Sequence, residues 1–260
     1  MVIIKNLSIR SLIALKQGKI FVLQILDTGT AAAQANMDRD EHLLEELHPD
    51  GNPILHLYEW DLPSATYGYF ADPGKHLDLE KAKARGLVLG RRPTGGGIVF
   101  HIWDFAFSFL LPSGHPAFSF NTLENYQFVN EAVLKAVDRL FPVPESTLIP
   151  KSYPSFSPDC QNFCMARPTQ YDIVHQGRKV AGAAQRRKSQ GYLHQGTISL
   201  AAPHIDLLKD VLFSKQAVLE AMASYTFAPL GLCWKPDALK KARATIRNRL
   251  IEELRSALSS

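Results

Sequence analysis

Four stretches of the 260-residue chain carry groups suited to chemistry. The first is RRPTGGGIVFH, Arg91 to His101. Gly95, Gly96 and Gly97 have no side chains, so three successive N–H groups can turn toward an anion. Arg91 and Arg92 add forked donors that match phosphate or carboxylate, and Thr94 adds a hydroxyl. No lysine follows the glycines, which sets this loop apart from a nucleotide-binding P-loop. By composition alone, a hairpin turn with surface arginines reads the same way. The second stretch is GRKVAGAAQRR, Gly177 to Arg187, where Lys179 sits on a strand among small residues that include Gly182 and Ala183. A lysine there can hold a carboxylate or acyl phosphate, or it can guard a sheet edge. The third is LHQGTISL, with His194 before Gly196 and Thr197; a histidine so placed is structural or catalytic. The fourth is Cys164 in a proline-rich segment ahead of the lysine strand. Beside basic groups its thiol can become a nucleophile; otherwise it packs as a small apolar residue.

These residues need elements to hold them. The patterning predicts a helix over Thr28–Leu47 with a leucine face at Leu43, Leu44 and Leu47, then a strand over Ile54–Trp60. Leu77–Arg85 reads as a helix ended by Gly86, and Leu87–Gly90 and Ile98–His101 as strands on either side of the glycine loop. Asp104–Leu111 alternates phenylalanine with small or polar residues, the pattern of a half-buried strand. Thr122–Phe141 is an amphipathic helix, and Pro142–Pro168 a long loop. A hairpin of Tyr171–His175 and Lys179–Ala184 follows, then a strand over Tyr192–Leu200 and helices over Asp206–Phe213, Ser214–Tyr225 and Pro236 to the end. The fold class expected is α+β: a mixed, mostly antiparallel sheet flanked by helices, with a catalytic domain over 1–215 and a helical extension over 216–260.

Composition fits one packed domain, with 46% hydrophobic and 21% charged residues. No apolar run is long enough to span a membrane, and the N-terminal nineteen residues read as a strand and short helix, not a signal peptide. Three cysteines suit a reducing, cytoplasmic setting, and Cys160 with Cys164 has no second pair to complete a zinc site. The net charge of +4 suits an anionic ligand or an acidic protein partner. Nucleic acid is not expected, because the basic runs lack interleaved aromatics.

Taken together and in order, the motifs resemble the lipoate–protein ligase and octanoyltransferase family, which shares a fold with biotin–protein ligases. RRPTGGGIVFH is similar to the family's arginine–glycine loop, GRKVAGAAQ to its lysine strand, and HQGTISL to its histidine–glycine strand. AQANMDRDEHLL resembles the family's early helix, and YEWDLPSATYGYF its tryptophan–proline–glycine strand pair. The resemblance runs from about residue 25 to about 215. The glycine–arginine loop of the biotin enzymes is absent.

The resemblance implies attachment of lipoate or octanoate to a lysine of a lipoyl domain, on the E2 subunit of a 2-oxoacid dehydrogenase or on the glycine-cleavage H protein. Lys179 would hold the carbonyl and phosphate oxygens, Arg91 and Arg92 would organise the loop and the anion, and Gly182 and Ala183 would leave room for the apolar chain. His101 and His194 would support the site. The third glycine, Gly97, favours a ligase that activates the acid with ATP and Mg2+, with no metal held by the protein itself. The alternative is a transferase needing no ATP, which takes the acyl group from an acyl-carrier protein onto Cys164. A homologue that binds the lipoyl domain without modifying it is the remaining alternative. The chain departs from the family at Ile102, where an aspartate is usual, with Asp104 as possible substitute, and at GYFAD, Gly68 to Asp72.

Overall fold

A computed structural model describes residues 19–141, 145–149, 163–166, 168–203 and 205–259. Among these, two sheets meet at a corner. The larger contains β1 (Gln24–Ala31), β2 (Ile54–Trp60), β6 (Asp104–Pro112), β7 (Ser146–Leu148), β8 (Ile173–His175), β9 (Arg178–Lys188) and β10 (Gly191–Ser199), in the order β1-β2-β6-β10-β9-β8-β7. Only β1 and β2 run parallel; the other pairs are antiparallel. The smaller sheet contains β3 (Ser64–Tyr67), β4 (Val88–Arg91) and β5 (Val99–His101), in the order β4-β3-β5. This is the mixed, mostly antiparallel α+β architecture that the motif order implies.

The helices are α1 (Ala33–Glu45), α2 (Leu79–Ala84), α3 (Thr122–Asp138), α4 (Ile205–Val211), α5 (Lys215–Tyr225) and α6 (Pro236–Ser259). None of them is long and apolar enough to cross a membrane. α3 begins where the Asn121 side chain accepts from Leu123 N, and it buries Val129, Val133, Ala136 and Val137 on one face. α6 buries Leu239, Ile246, Leu250 and Leu254, and these four belong to the same apolar core as the sheet residues Leu57, Phe107 and Ile198. The helices beyond residue 215 thus share the main core.

Three expectations need correcting. Thr28–Ala31 is the end of β1 and not the start of a helix, because pairing with β2 overrides the small-residue propensity. β6 is buried on both faces, not one, because β2 and β10 flank it and helices cover the sheet. The second hairpin strand runs on to Lys188. The readings of residues 1–18, of Cys160 and of most of the 142–168 segment lie outside the described residues.

Candidate active site

The arginine–glycine loop leaves β4 and enters β5. Arg92 is buried, and its guanidinium turns inward onto the loop itself: it donates to Gly95 O at 3.1 Å, Gly97 O at 2.8 Å and Thr66 Oγ1 at 2.7 Å. Thr66 Oγ1 also lies 2.7 Å from His101 Nε2, and His101 Nδ1 lies 2.7 Å from Asp104 Oδ2. Arg92 only donates, so Thr66 Oγ1 accepts from it, and Thr66 links the guanidinium to the imidazole of His101. Asp104 Oδ2 accepts from Thr197 as well, at 2.6 Å. Asp104 is thus the carboxylate on which the Arg92–Thr66–His101 chain ends.

With the carbonyls of Gly95 and Gly97 held by Arg92, the amides of Gly95, Gly96 and Gly97 donate to no backbone carbonyl among the described residues. Gly96 has φ +93°, where a side chain would be strained. Gly68 must also lack a side chain, since a Cβ there would come within 2.1 Å of Gly96 O. Thr94 is buried and donates to Gln195 Oε1 at 2.6 Å; Gln195 Nε2 in turn reaches Asp40 Oδ2 at 2.6 Å. Asp40 also accepts from Ser108 and lies 2.7 Å from His56 Nδ1. This buried network ties the loop to α1 and to β2, β6 and β10.

A cleft opens beneath the loop. Arg92, Gly96 and His101 line it from the loop side, and Gly182, Ala183, Gly196 and Thr197 from the two long strands. Met37, Tyr58 and Ala106 close it with apolar surface. The lining, apolar with a few polar groups at one end, suits an acyl chain. Arg91 is not part of this lining: it is exposed, and its guanidinium lies 4.8 Å from the Tyr69 ring centroid. His194 is also elsewhere, buried with Nδ1 on Gln185 Nε2, and burial pulls its pKa down to about 3.

Lys179 is 1% exposed, and its Nζ lies 2.7 Å from Asp172 Oδ2. A Cβ on Gly182 would come within 2.6 Å of that Nζ, so the ammonium rests against the strand that floors the cleft. A β-bulge between β8 and β9 occurs at this point. Asp172 is itself held by the Thr169 amide and hydroxyl, at 2.7 and 2.9 Å. The sequence reading missed Asp172. The signal available was physical: a lysine buried on a strand needs a carboxylate, and PTQYD just upstream offers one.

Cys164 begins a short 3-10 turn, Cys164–Ala166. Phe163, before it, bridges to Ile98 at the exit of the glycine loop, and Met165 O, after it, accepts from Thr226 Oγ1 at 2.6 Å. Thr226 pairs with Lys179, and Phe227 N donates to Lys179 O at 2.7 Å. The backbone of the cysteine turn is thus tied to the loop on one side and to the lysine strand on the other. Phe163 and Met165 also wall a second hollow, which shares Thr197 with the first.

The model of the lipoyl protein ligase A/B catalytic domain matches residues 32–227. The chain belongs to this family. Its curated relatives include an octanoyltransferase LipM of Anoxybacillus flavithermus, 34% identical over 204 residues that cover 74% of this chain and 69% of the relative. The Bacillus subtilis octanoyltransferase LipM is 30% identical, over 76% and 73% of the two chains. Among solved structures, a bi-partite lipoate protein ligase with its E2 lipoyl domain from Thermoplasma acidophilum aligns at TM-score 0.65 and 21% identity, over 90% and 84%. A lipoate-protein ligase A bound with ATP aligns at 0.62 and 22%, over 92% of each chain. At that identity the two structures show the shared fold and no more.

These relatives correct the expectation of an ATP-dependent ligase. The Anoxybacillus and Bacillus relatives, at 34% and 30% identity over 74% and 76% of the chain, are octanoyltransferases. The third glycine misled: the Gly97 carbonyl accepts from Arg92, a bond any residue at that place could make, so a glycine there does not mark a nucleotide site.

Proposed function

We propose that the protein is an octanoyltransferase that works through a thioester on Cys164 without ATP. The donor is an octanoyl-carrier-protein thioester, and the acceptor is a lysine of a lipoyl domain, on an E2 subunit or an H protein. The Cys164 thiolate attacks the donor carbonyl, and the carrier's thiol departs with the proton. The acceptor amine then attacks the new thioester: the C–N bond forms, the C–S bond breaks, and the Cys164 thiol is restored. In both steps charge grows on the carbonyl oxygen. Lys179 and the spare glycine-loop amides stabilise that charge from fixed positions, and Asp172 keeps the ammonium in place. The apolar cleft takes the acyl chain.

The observation that carries this reading is the tethering of the cysteine turn between Ile98 and the Lys179 strand. An ATP-dependent ligase needs no thiol there. The test is intact mass of an apo lipoyl domain after incubation with the protein. An octanoyl gain is expected from octanoyl-carrier protein without nucleotide, and the protein itself should carry a hydroxylamine-sensitive octanoyl adduct. Cys164→Ser should lose the adduct and the transfer while staying folded. A gain seen only with free acid, ATP and magnesium, or full transfer by Cys164→Ser, would overturn the reading.

A further inference from the structure

We infer that Arg243, on the C-terminal helix α6 and outside the stretch matched by the family model, is a positioning residue for the glycine loop. Its guanidinium donates from Nε to Asp104 O at 2.8 Å and from a terminal nitrogen to Ile102 O at 2.9 Å. Those carbonyls bracket Trp103, in the two-residue corner where the chain passes from β5 of the small sheet to β6 of the large one. The corner's flanking side chains, His101 and Asp104, are the ones that bond to each other. From His101 the chain of bonds continues through Thr66 to Arg92, and from Arg92 to the carbonyls of Gly95 and Gly97. Asp104 also holds Thr197 in the cleft wall.

Every link in this relay is 3.1 Å or shorter. The planar guanidinium holds two carbonyls in fixed directions, which the compact, freely rotating ammonium of lysine does not. The fork is mounted rigidly, because Leu239 and Ile246 on either side of Arg243 are buried in the core. If the corner shifts, His101 and Asp104 shift with it, and the loop loses its registry with the cleft. The helix beyond the matched domain is therefore a working part of the site.

Two neighbours on α6 separate this role from plain helix docking. Arg247 pairs with Asp27 of β1 at 2.6 Å, and Arg249 pairs with Glu252 within the helix at 2.8 Å; neither touches the corner. The experiment uses the full chain as wild type, Arg243→Ala, Arg243→Lys, Arg247→Ala and Arg249→Ala. Amide hydrogen exchange is followed over residues 98–101, where the loop passes into β5 and pairs with β3, together with octanoyl transfer to an apo lipoyl domain. Arg243→Ala should exchange about tenfold faster in the loop and lose about tenfold in kcat, with KM for the acceptor within about twofold, since small misplacement at a reacting centre acts on kcat. Methylguanidinium should restore part of that loss. Arg243→Lys should fall between, and Arg247→Ala and Arg249→Ala should match wild type in the loop.

Wild-type loop protection in folded Arg243→Ala or Arg243→Lys would overturn the inference, as would equal loop exposure in Arg247→Ala. The activity arm rests on the proposed transfer reaction, but the exchange arm does not. A wild-type protein that transfers nothing would sink that reaction and still leave Arg243 decided by exchange.

Discussion

Taking the Lys179 ammonium out of water costs free energy, which the Asp172 carboxylate at 2.7 Å offsets. Removing one partner leaves the other buried without its counter-charge. Asp172→Asn should therefore destabilise the protein by about 3–5 kcal/mol. The double change Asp172→Asn with Lys179→Met should recover much of this, since the cation left without its carboxylate is gone as well. Urea unfolding of both variants checks it; a single variant as stable as wild type would mean the pair is not what keeps the lysine buried. At this scale the sequence was half legible. Lys179, the three glycines and Cys164 stood out by type and setting, whereas Asp172, Gln195 and Asp40 did not. Their parts depend on partners in space: Gln195 meets Thr94, 101 residues away in the chain.

At the scale of elements, β10 and β6 approach so closely that Gly196 faces the ring of Phe107 directly. A Cβ at Gly196 would come within 2.4 Å of that ring, which is itself buried on every side. Gly196→Ala should cost about 1–3 kcal/mol by overpacking and narrow the cleft, seen as a lower Tm and a preference for shorter acyl donors. An unchanged Tm would show that Phe107 yields. Most strands and helices were readable from periodicity and turn residues, although β6 and β10 are buried on both faces. β1 was not. The run TGTAAAQ carries small residues that suit a helix start, and only the parallel partner β2, distant in sequence, makes Thr28–Ala31 extended. The inward turn of the loop carbonyls was equally hidden, since a run of three glycines permits either orientation.

For the whole molecule, the buried histidines set an acid limit. His194 is neutral in the fold, with a pKa near 3 against an ordinary 6.5, and burial is the cause. His115 is lowered to about 4 for the same reason. The unfolded chain binds these protons first as pH falls, so stability holds above about 6.5 and declines below it, down to the folded values. For His194 the decline is about 1.4 kcal/mol per pH unit between 6.5 and 3. His194→Gln should flatten the fall by close to one proton, measured as the slope of unfolding free energy against pH. An unchanged slope would mean that His194 is protonated in the fold.

Arg92 has a consequence for timing. A glycine run left to itself samples many shapes and would have to surrender them each time a ligand arrives. Here the guanidinium grips two of the loop's own carbonyls, so that entropy is given up once, during folding. Part of the cost of ordering the loop thus falls on folding rather than on binding.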